Sequence, residues 1–256
     1  MNRTVDLFVP CLTDSFLPAS AAASALLLEF FGWSVEVPRA QTCCGQAHFN
    51  AGATGEARAL VERMATIFSS DRPVVTPSGS CAAMVIEHAP TISDDPAVHS
   101  LAKRTREITQ FLFEDLALDP RELGARWPGE PTAITVHQPC HGRALDLAPI
   151  TARVLASIEG LDVRESPGAD RCCGFGGAFA VDEAAISGAM GKEKVASIAS
   201  TGAELLVCND SGCALQIAGV AEHPGTGGRA PRIFHVAEVL ALSLGLEVPS
   251  FGEGAP

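Results

Sequence analysis

Nine cysteines form a pattern that repeats once along the chain, at positions 11, 43, 44 and 81 and again at 140, 172, 173, 208 and 213. Cys140, Cys172 and Cys173 each lie 129 positions after Cys11, Cys43 and Cys44, and under the same shift Cys81 lands three residues before Cys213. One short indel therefore restores the match. The flanks agree too: Pro10-Cys11 corresponds to Pro139-Cys140. Pro38-Arg39-Ala40-Gln41-Thr42-Cys43-Cys44-Gly45 corresponds to Pro167-Gly168-Ala169-Asp170-Arg171-Cys172-Cys173-Gly174, sharing Pro, Ala, Cys, Cys and Gly. Such a chain is an internal duplication, and its fold is one module made twice. The modules span residues 1–126 and 131–249. The stretch between them, Arg126-Trp127-Pro128-Gly129-Glu130-Pro131, has the prolines and glycine of a linker.

Each half alternates short apolar strands with helices. Strands are expected at 5–9, 35–37 and 74–76, and helices at 19–31, 55–68 and 101–116. The second half repeats the order, with strands at 134–137, 163–165 and 205–207 and helices at 150–158, 184–200 and 233–244. This pattern predicts an α/β fold of two tandem modules related by a pseudo-twofold axis, each a small parallel sheet flanked by helices. Ligands of such sheets gather beyond the carboxyl ends of the strands. Cys11, Cys81, Cys140 and Cys213 follow expected strand ends, so fold and cysteines place the chemistry at one edge.

Composition narrows the function classes. Of the 256 residues 47% are hydrophobic and 19% charged, as in a globular chain. The net charge of −12 argues against nucleic acid or an anionic membrane as the main partner, because both ask for basic patches. The apolar stretch at 7–10 is too short for a signal peptide. The run at 18–33 contains Glu29 and is shorter than a membrane span. The expectation is a cytoplasmic protein with no integral membrane segment. In that reducing compartment an odd number of cysteines favours metal or redox chemistry over disulfides, with buried apolar thiols as the bland alternative.

Each half supplies a single cysteine, an adjacent pair and a fourth. Four thiolates is the usual number for an iron–sulfur cluster or a structural zinc. Adjacent side chains diverge, so Cys43-Cys44 and Cys172-Cys173 reach two irons of a cluster more readily than one zinc ion, whose structural ligands are typically spaced two to four residues apart. A redox-active vicinal pair is the remaining reading. Gly45 and Gly174 follow each pair and let the backbone turn closely around an inorganic core. Gly176 and Gly177 add backbone N–H groups that can donate to cluster sulfurs. The glycine run fits neither a Walker A loop nor a dinucleotide fingerprint. Cys208 faces Thr76 or Pro77 in the first half and stays open as a fifth ligand or a buried thiol. His48 and His141 stand close to cysteines, either as hydrogen-bonding or proton-relay groups or as surface side chains. His137 and His235 fall on expected core elements and read as hydrogen-bonded packing histidines. Arg143 can screen the charge of a thiolate-bound cluster, and Asp210 lies near Cys208 and Cys213 in sequence. No Ser-His-Asp or paired-carboxylate motif supports a hydrolase.

These residues resemble the cysteine-rich CCG domain family, defined by duplicated Cys…Cys-Cys-Gly…Cys modules. The family includes a cysteine-rich component of heterodisulfide reductase and the iron–sulfur subunits of glycolate oxidase and anaerobic glycerol-3-phosphate dehydrogenase. Within it the chain resembles the small two-module members of bacterial lactate-utilisation operons, from Phe8-Val9-Pro10-Cys11 and Gln41-Thr42-Cys43-Cys44-Gly45-Gln46, through Pro77-Ser78-Gly79-Ser80-Cys81, His137-Gln138-Pro139-Cys140 and Cys172-Cys173-Gly174-Phe175-Gly176-Gly177, to His235-Val236-Ala237-Glu238-Val239-Leu240. The resemblance implies an iron–sulfur electron-transfer subunit of a complex oxidising L-lactate to pyruvate, with other subunits of that complex as partners. It implies one 4Fe–4S cluster per module, held by Cys11, Cys43, Cys44 and Cys81 and by Cys140, Cys172, Cys173 and Cys213. Heterodisulfide reductase modules close with Cys-x-x-Cys and use five thiolates around a non-cubane cluster. Here Met84 and Gln216 stand three residues after Cys81 and Cys213, so four-thiolate ligation fits better, with Cys208 leaving the second module open. The alternatives are another oxidoreductase subunit, acting on glycolate, glycerol-3-phosphate or a disulfide, and a zinc-stabilised scaffold.

Overall fold

The computed structural model describes residues 3–223 and 232–249. Strands β1 (Arg3–Leu7), β2 (Trp33–Glu36), β3 (Val74–Thr76) and β4 (Thr105–Glu107) form one parallel sheet in the order β2-β1-β3-β4. Strands β5 (Thr132–His137), β6 (Leu161–Arg164), β7 (Leu205–Cys208) and β8 (Arg232–His235) form a second in the order β6-β5-β7-β8. The identical order is the duplication made visible, and helices flank both sheets as the alternation predicts.

The two-residue period of a strand decides which core each side chain joins. Val5, Leu7 and Val75 of the first sheet meet Ile134, Leu205 and Val207 of the second in one core that both halves share. Leu27 and Leu28, on the helix Pro18–Phe30, and Val239 and Leu240, on the helix Val236–Ser243, complete it. Fully burying one such Leu contributes about 1.5–3 kcal/mol, so each half helps to hold the other. The intervening residues face the opposite way. Phe8 and Val74 join a core belonging to the first half, which contains Cys44 and Cys81. Leu206 and Cys208 join its counterpart in the second half, with Cys173 and Cys213. Each cysteine set therefore rests on its own small apolar cluster.

Two expected helices are split. Residues 101–116 form the end of a helix, Pro96–Arg104, then β4, then the short helix Ile108–Gln110 running into the turn Phe111–Asp115. Glu107 ends the strand and caps the following helix, its carboxylate accepting from the Thr109 N–H at 2.7 Å. Residues 233–244 likewise begin as β8, and His235 caps the helix Val236–Ser243. In both places a three- or four-residue strand runs straight into a helix cap, and the apolar spacing reads as one helix. The helix Ser211–Glu222 is not among the expected elements. The proline-bearing stretch between the halves is not slack: the Arg126 N–H donates to Ser243 O at 2.7 Å, and the buried Trp127 donates from its backbone to Glu159 O at 2.8 Å. No helix among the described residues is long and apolar enough to cross a membrane.

Candidate metal centres

The cysteines gather at the carboxyl edges of the two sheets. Cys11 opens the helix Cys11–Phe16 just beyond β1, and Cys140 precedes the one-turn helix His141–Arg143 just beyond β5. Cys81 lies in the helix Gly79–Ala83 after β3, where Ser78 is the N-cap and its Oγ accepts from the Cys81 N–H at 3.2 Å. Cys213 lies in the matching helix after β7, where Asp210 is the N-cap and its Oδ1 accepts from Gly212 N–H at 3.0 Å and Cys213 N–H at 3.3 Å. Capping thus fixes the fourth cysteine of each set.

Both vicinal pairs end in a left-handed glycine. Gly45 has φ +88° and Gly174 φ +89°, and each donates its N–H to the first sulfur of the pair, Cys43 Sγ or Cys172 Sγ, at 3.4 Å. A Cβ at Gly174 would sit 2.6 Å from Ser187 O, and one at Gly45 3.1 Å from Ala57 O. No side chain fits between the turn and the helix behind it. Gly176 and Gly177 also have positive φ and line the cavity described below. A Cβ on Gly177 would lie 3.2 Å from Ala47 Cβ of the first half and one on Gly176 2.8 Å from Phe179 Cβ, and Gly176 O accepts from Asn50 Nδ2 at 3.4 Å.

The thiols form two chains of contacts. Cys44 Sγ lies 3.2 Å from Cys81 Sγ, and Cys43 bridges Cys11 and Cys44. In the second half Cys172 bridges Cys140 and Cys173, and Cys173 reaches Cys213. Hydrogen bonds from Cys11 and Cys44 hold the Cys43 thiol far below its ordinary pKa, and those from Cys140 and Cys173 do the same for Cys172. Hydrogen bonds to neighbouring sulfurs, together with burial, push the thiols of Cys11, Cys44, Cys140, Cys173 and Cys213 up. Metal binding would release the protons that these thiols hold.

All eight cysteines of the two sets line a single cavity of about 610 Å³. The halves meet across it. Asp210 Oδ2 accepts from Ser78 Oγ and from the Ser80 N–H, both at 3.0 Å, and Thr13 Oγ1 lies 2.7 Å from Ser211 Oγ. Cys208 stands behind the wall, buried, with its thiol donating to Asp210 O at 3.2 Å and touching Cys213.

The histidines divide differently from expectation. His141 lines the cavity, with Nδ1 3.6 Å from Cys140 Sγ, and its ring stands edge-on to His88. His48 lies on the helix Gln46–Asn50, near enough to favour the Cys43 thiolate. His235 is a packing histidine whose Nδ1 accepts from the Ala237 N–H at 3.1 Å. His137 is not hydrogen-bonded: it is 1% exposed and neither ring nitrogen finds a partner among the described residues. Burial lowers its pKa to about 4, so the ring is neutral at pH 7. A ring nitrogen of His137 and the sulfurs of Cys173 and Cys213 lie within 4.8 Å of one another. Arg143 donates to Cys140 O at 3.3 Å and stays off the cavity wall. A second cation near the thiols is one that sequence reasoning missed. Lys194 is buried, donates to Gly168 O at 2.8 Å and Ala169 O at 3.1 Å, and is lowered in pKa by desolvation against the opposing pull of Cys173. Soft thiols in mutual contact and an unpartnered buried imidazole are the donors that a thiophilic metal centre completes.

The model of the cysteine-rich domain CCG matches residues 5–86 and 134–218. Lactate utilization protein A 2 of Bacillus mycoides (strain KBAB4) is 39% identical over 241 residues, covering 92% of this chain and 98% of that one. Lactate utilization protein A 1 of Bacillus cereus (strain AH820) matches with the same identity and coverage. Among solved structures, a hypothetical protein from Helicobacter pylori superposes with a TM-score of 0.62 at 12% identity, over 96% of this chain and 49% of that chain. This chain spans about half of that one, and the likeness is one of fold.

Proposed function

The chain belongs to the cysteine-rich CCG domain family, beside proteins named for lactate utilization, and from that membership we propose that it is an iron–sulfur electron-transfer subunit of a complex oxidising L-lactate to pyruvate. The observation that carries this reading is the one cavity lined by two equivalent sets of four cysteines. On this reading Cys11, Cys43, Cys44 and Cys81 hold one 4Fe–4S cluster, and Cys140, Cys172, Cys173 and Cys213 hold another. The bound clusters supply one-electron chemistry.

The protein's own residues do the rest. The Gly45 and Gly174 N–H groups donate to sulfur, which raises a cluster's reduction potential. Phe175 and Phe179 give the cavity part of an apolar wall. Asp210 fixes the distance between the two sets by bonding to both halves. On this reading the removal of a proton and hydride from lactate falls to partner subunits in the cytoplasm. The acidic surface, net −12, suits a basic patch on a partner.

Growth tests the substrate. A strain deleted for this chain should fail on L-lactate and recover on complementation. Normal growth on lactate with loss of growth on glycolate would overturn the lactate reading and favour a glycolate-oxidising complex. Colourless anaerobic protein with stoichiometric zinc would instead favour the scaffold.

A further inference from the structure

The duplication supplies an internal control for every residue near the thiols. Across the carboxyl ends of β5, β7 and β8 runs a row of paired residues, His137, Cys208 and His235. In the first sheet Thr76 pairs with Glu107, and Phe8 follows Leu7, continuing the ladder through its N–H to Val75 O at 2.8 Å. The corresponding row is therefore Phe8, Thr76 and Glu107. Phe8 is fully buried against the core that contains Cys44 and Cys81. His137 takes that place beside Cys173 and Cys213. Where the first half needs only apolar bulk, the second places two nitrogens.

A buried imidazole without partners is costly, and apolar bulk of similar size is the cheaper filling. Two charged side chains nearby are engaged elsewhere. Lys194 Nζ is bound to two carbonyls, and Asp210 takes four hydrogen bonds from Ser78, Ser80, Gly212 and Cys213. The unused donor sits with two thiols inside a 4.8 Å limit. Ligand atoms on one thiophilic metal, with metal–sulfur bonds of about 2.3 Å and metal–nitrogen bonds of about 2.0 Å, lie roughly 3.5 Å apart, so small adjustments bring the His137 nitrogen onto a metal held by one of these two sulfurs.

We propose that His137 is a metal ligand of the second module's centre, which then carries an imidazole nitrogen beside thiolates while the first centre is held by thiolates alone. The inference rests on the iron–sulfur reading above for the identity of the metal, and on the geometry of His137, Cys173 and Cys213 for the ligand. The neutral imidazole adds no charge to the second centre, whereas the Lys194 ammonium places positive charge near Cys172, Cys173 and Cys213, so that centre's reduction potential is the higher of the two.

The test is pulsed EPR on anaerobically purified, reduced protein, unlabelled and grown with ¹⁵N-histidine. Wild type should show a strong nitrogen coupling that changes with the label. His137→Phe, which copies the first half, should remove that coupling while most of the iron stays. His137→Gln serves if the Phe variant does not fold. Iron-loaded wild type with no histidine coupling, or a coupling that survives both substitutions, overturns the proposal. If the protein binds no iron, the function reading fails and the ligand claim is read separately with Co²⁺ alone on the metal-free protein. There the His137 variants should bind Co²⁺ at least tenfold more weakly than wild type. Unchanged Co²⁺ affinity overturns it.

Discussion

The two halves share a topology and a set of thiols but surround those thiols differently. Beside Cys44 and Cys81 stand Phe8, Thr76 and Ser78; beside Cys173 and Cys213 stand His137, Cys208 and Asp210. The matched contacts of Gly45 with Ala57 and of Gly174 with Ser187 align the two helices behind the turns, so the buried Met64 corresponds to the buried Lys194. The first set has an apolar setting, the second a polar one with a cation. What stayed constant after duplication is what ligation and backbone turning demand. What diverged is what tunes a centre: neighbouring charge, imidazole and extra sulfur. Two equal scaffolds with unequal surroundings suit a pair of centres at different potentials.

The largest expected effects break one half at a time. Cys44→Ser and Cys173→Ser should each lose about half the iron, read by metal analysis of anaerobic protein. Unchanged iron in either variant would show that the pair does not ligate. Next come the glycines, where the halves differ in degree. Gly174→Ala adds a Cβ 2.6 Å from a carbonyl oxygen and Gly45→Ala one at 3.1 Å. Both also force a positive φ on alanine, so the costs should be about 3 and about 2 kcal/mol by denaturant unfolding. Equal costs would mean that the helix behind Gly174 moves aside.

The strand-end residues Glu107 and His235 should tilt stability with pH in opposite directions. Burial raises Glu107 from 4.5 to about 7. Between those values the folded state holds a proton that the unfolded chain has released, so stability falls as pH rises through the window. Glu107→Gln should remove that share, roughly 3 kcal/mol. Glu238, raised to about 7 by burial, leaves part of the slope in place. Burial lowers His235 from 6.5 to about 4. Here the unfolded chain binds the extra proton, and stability rises with pH between about 4 and 6.5. Stability curves for Glu107→Gln and His235→Gln that stay parallel to wild type would contradict both assignments. The smallest effect belongs to Cys208→Thr, which copies Thr76. Cys208 is satisfied by Asp210 O and lies off the cavity wall, so iron content should not change. A loss of iron would make it a fifth ligand.

The duplication, the parallel sheets and both cysteine sets were legible in the sequence, because short apolar strands are a local signal and the cysteine offset of 129 is read directly from residue positions. Strands β4 and β8 were not. Thr105–Glu107 and Arg232–His235 lack alternation long enough to register, and each runs into a helix through its own cap. His137 reads in sequence as an ordinary core histidine, since its missing partners are a fact of three dimensions. Lys194 sits in an Ala- and Gly-rich helix whose pattern does not reveal which face is buried. The single shared cavity depends on how the halves dock, through contacts such as Asp210 with Ser78 that span 132 positions.

The central claim is that two four-cysteine sets hold two iron–sulfur centres that differ in potential. Iron and acid-labile sulfide counts on anaerobic protein, followed by an EPR-monitored redox titration of the same sample, test it most directly. The account predicts about four irons per module and two separable reduction steps, the higher belonging to the second half and lost in Cys173→Ser. A colourless protein with stoichiometric zinc, or a single step shared by both halves, would contradict it.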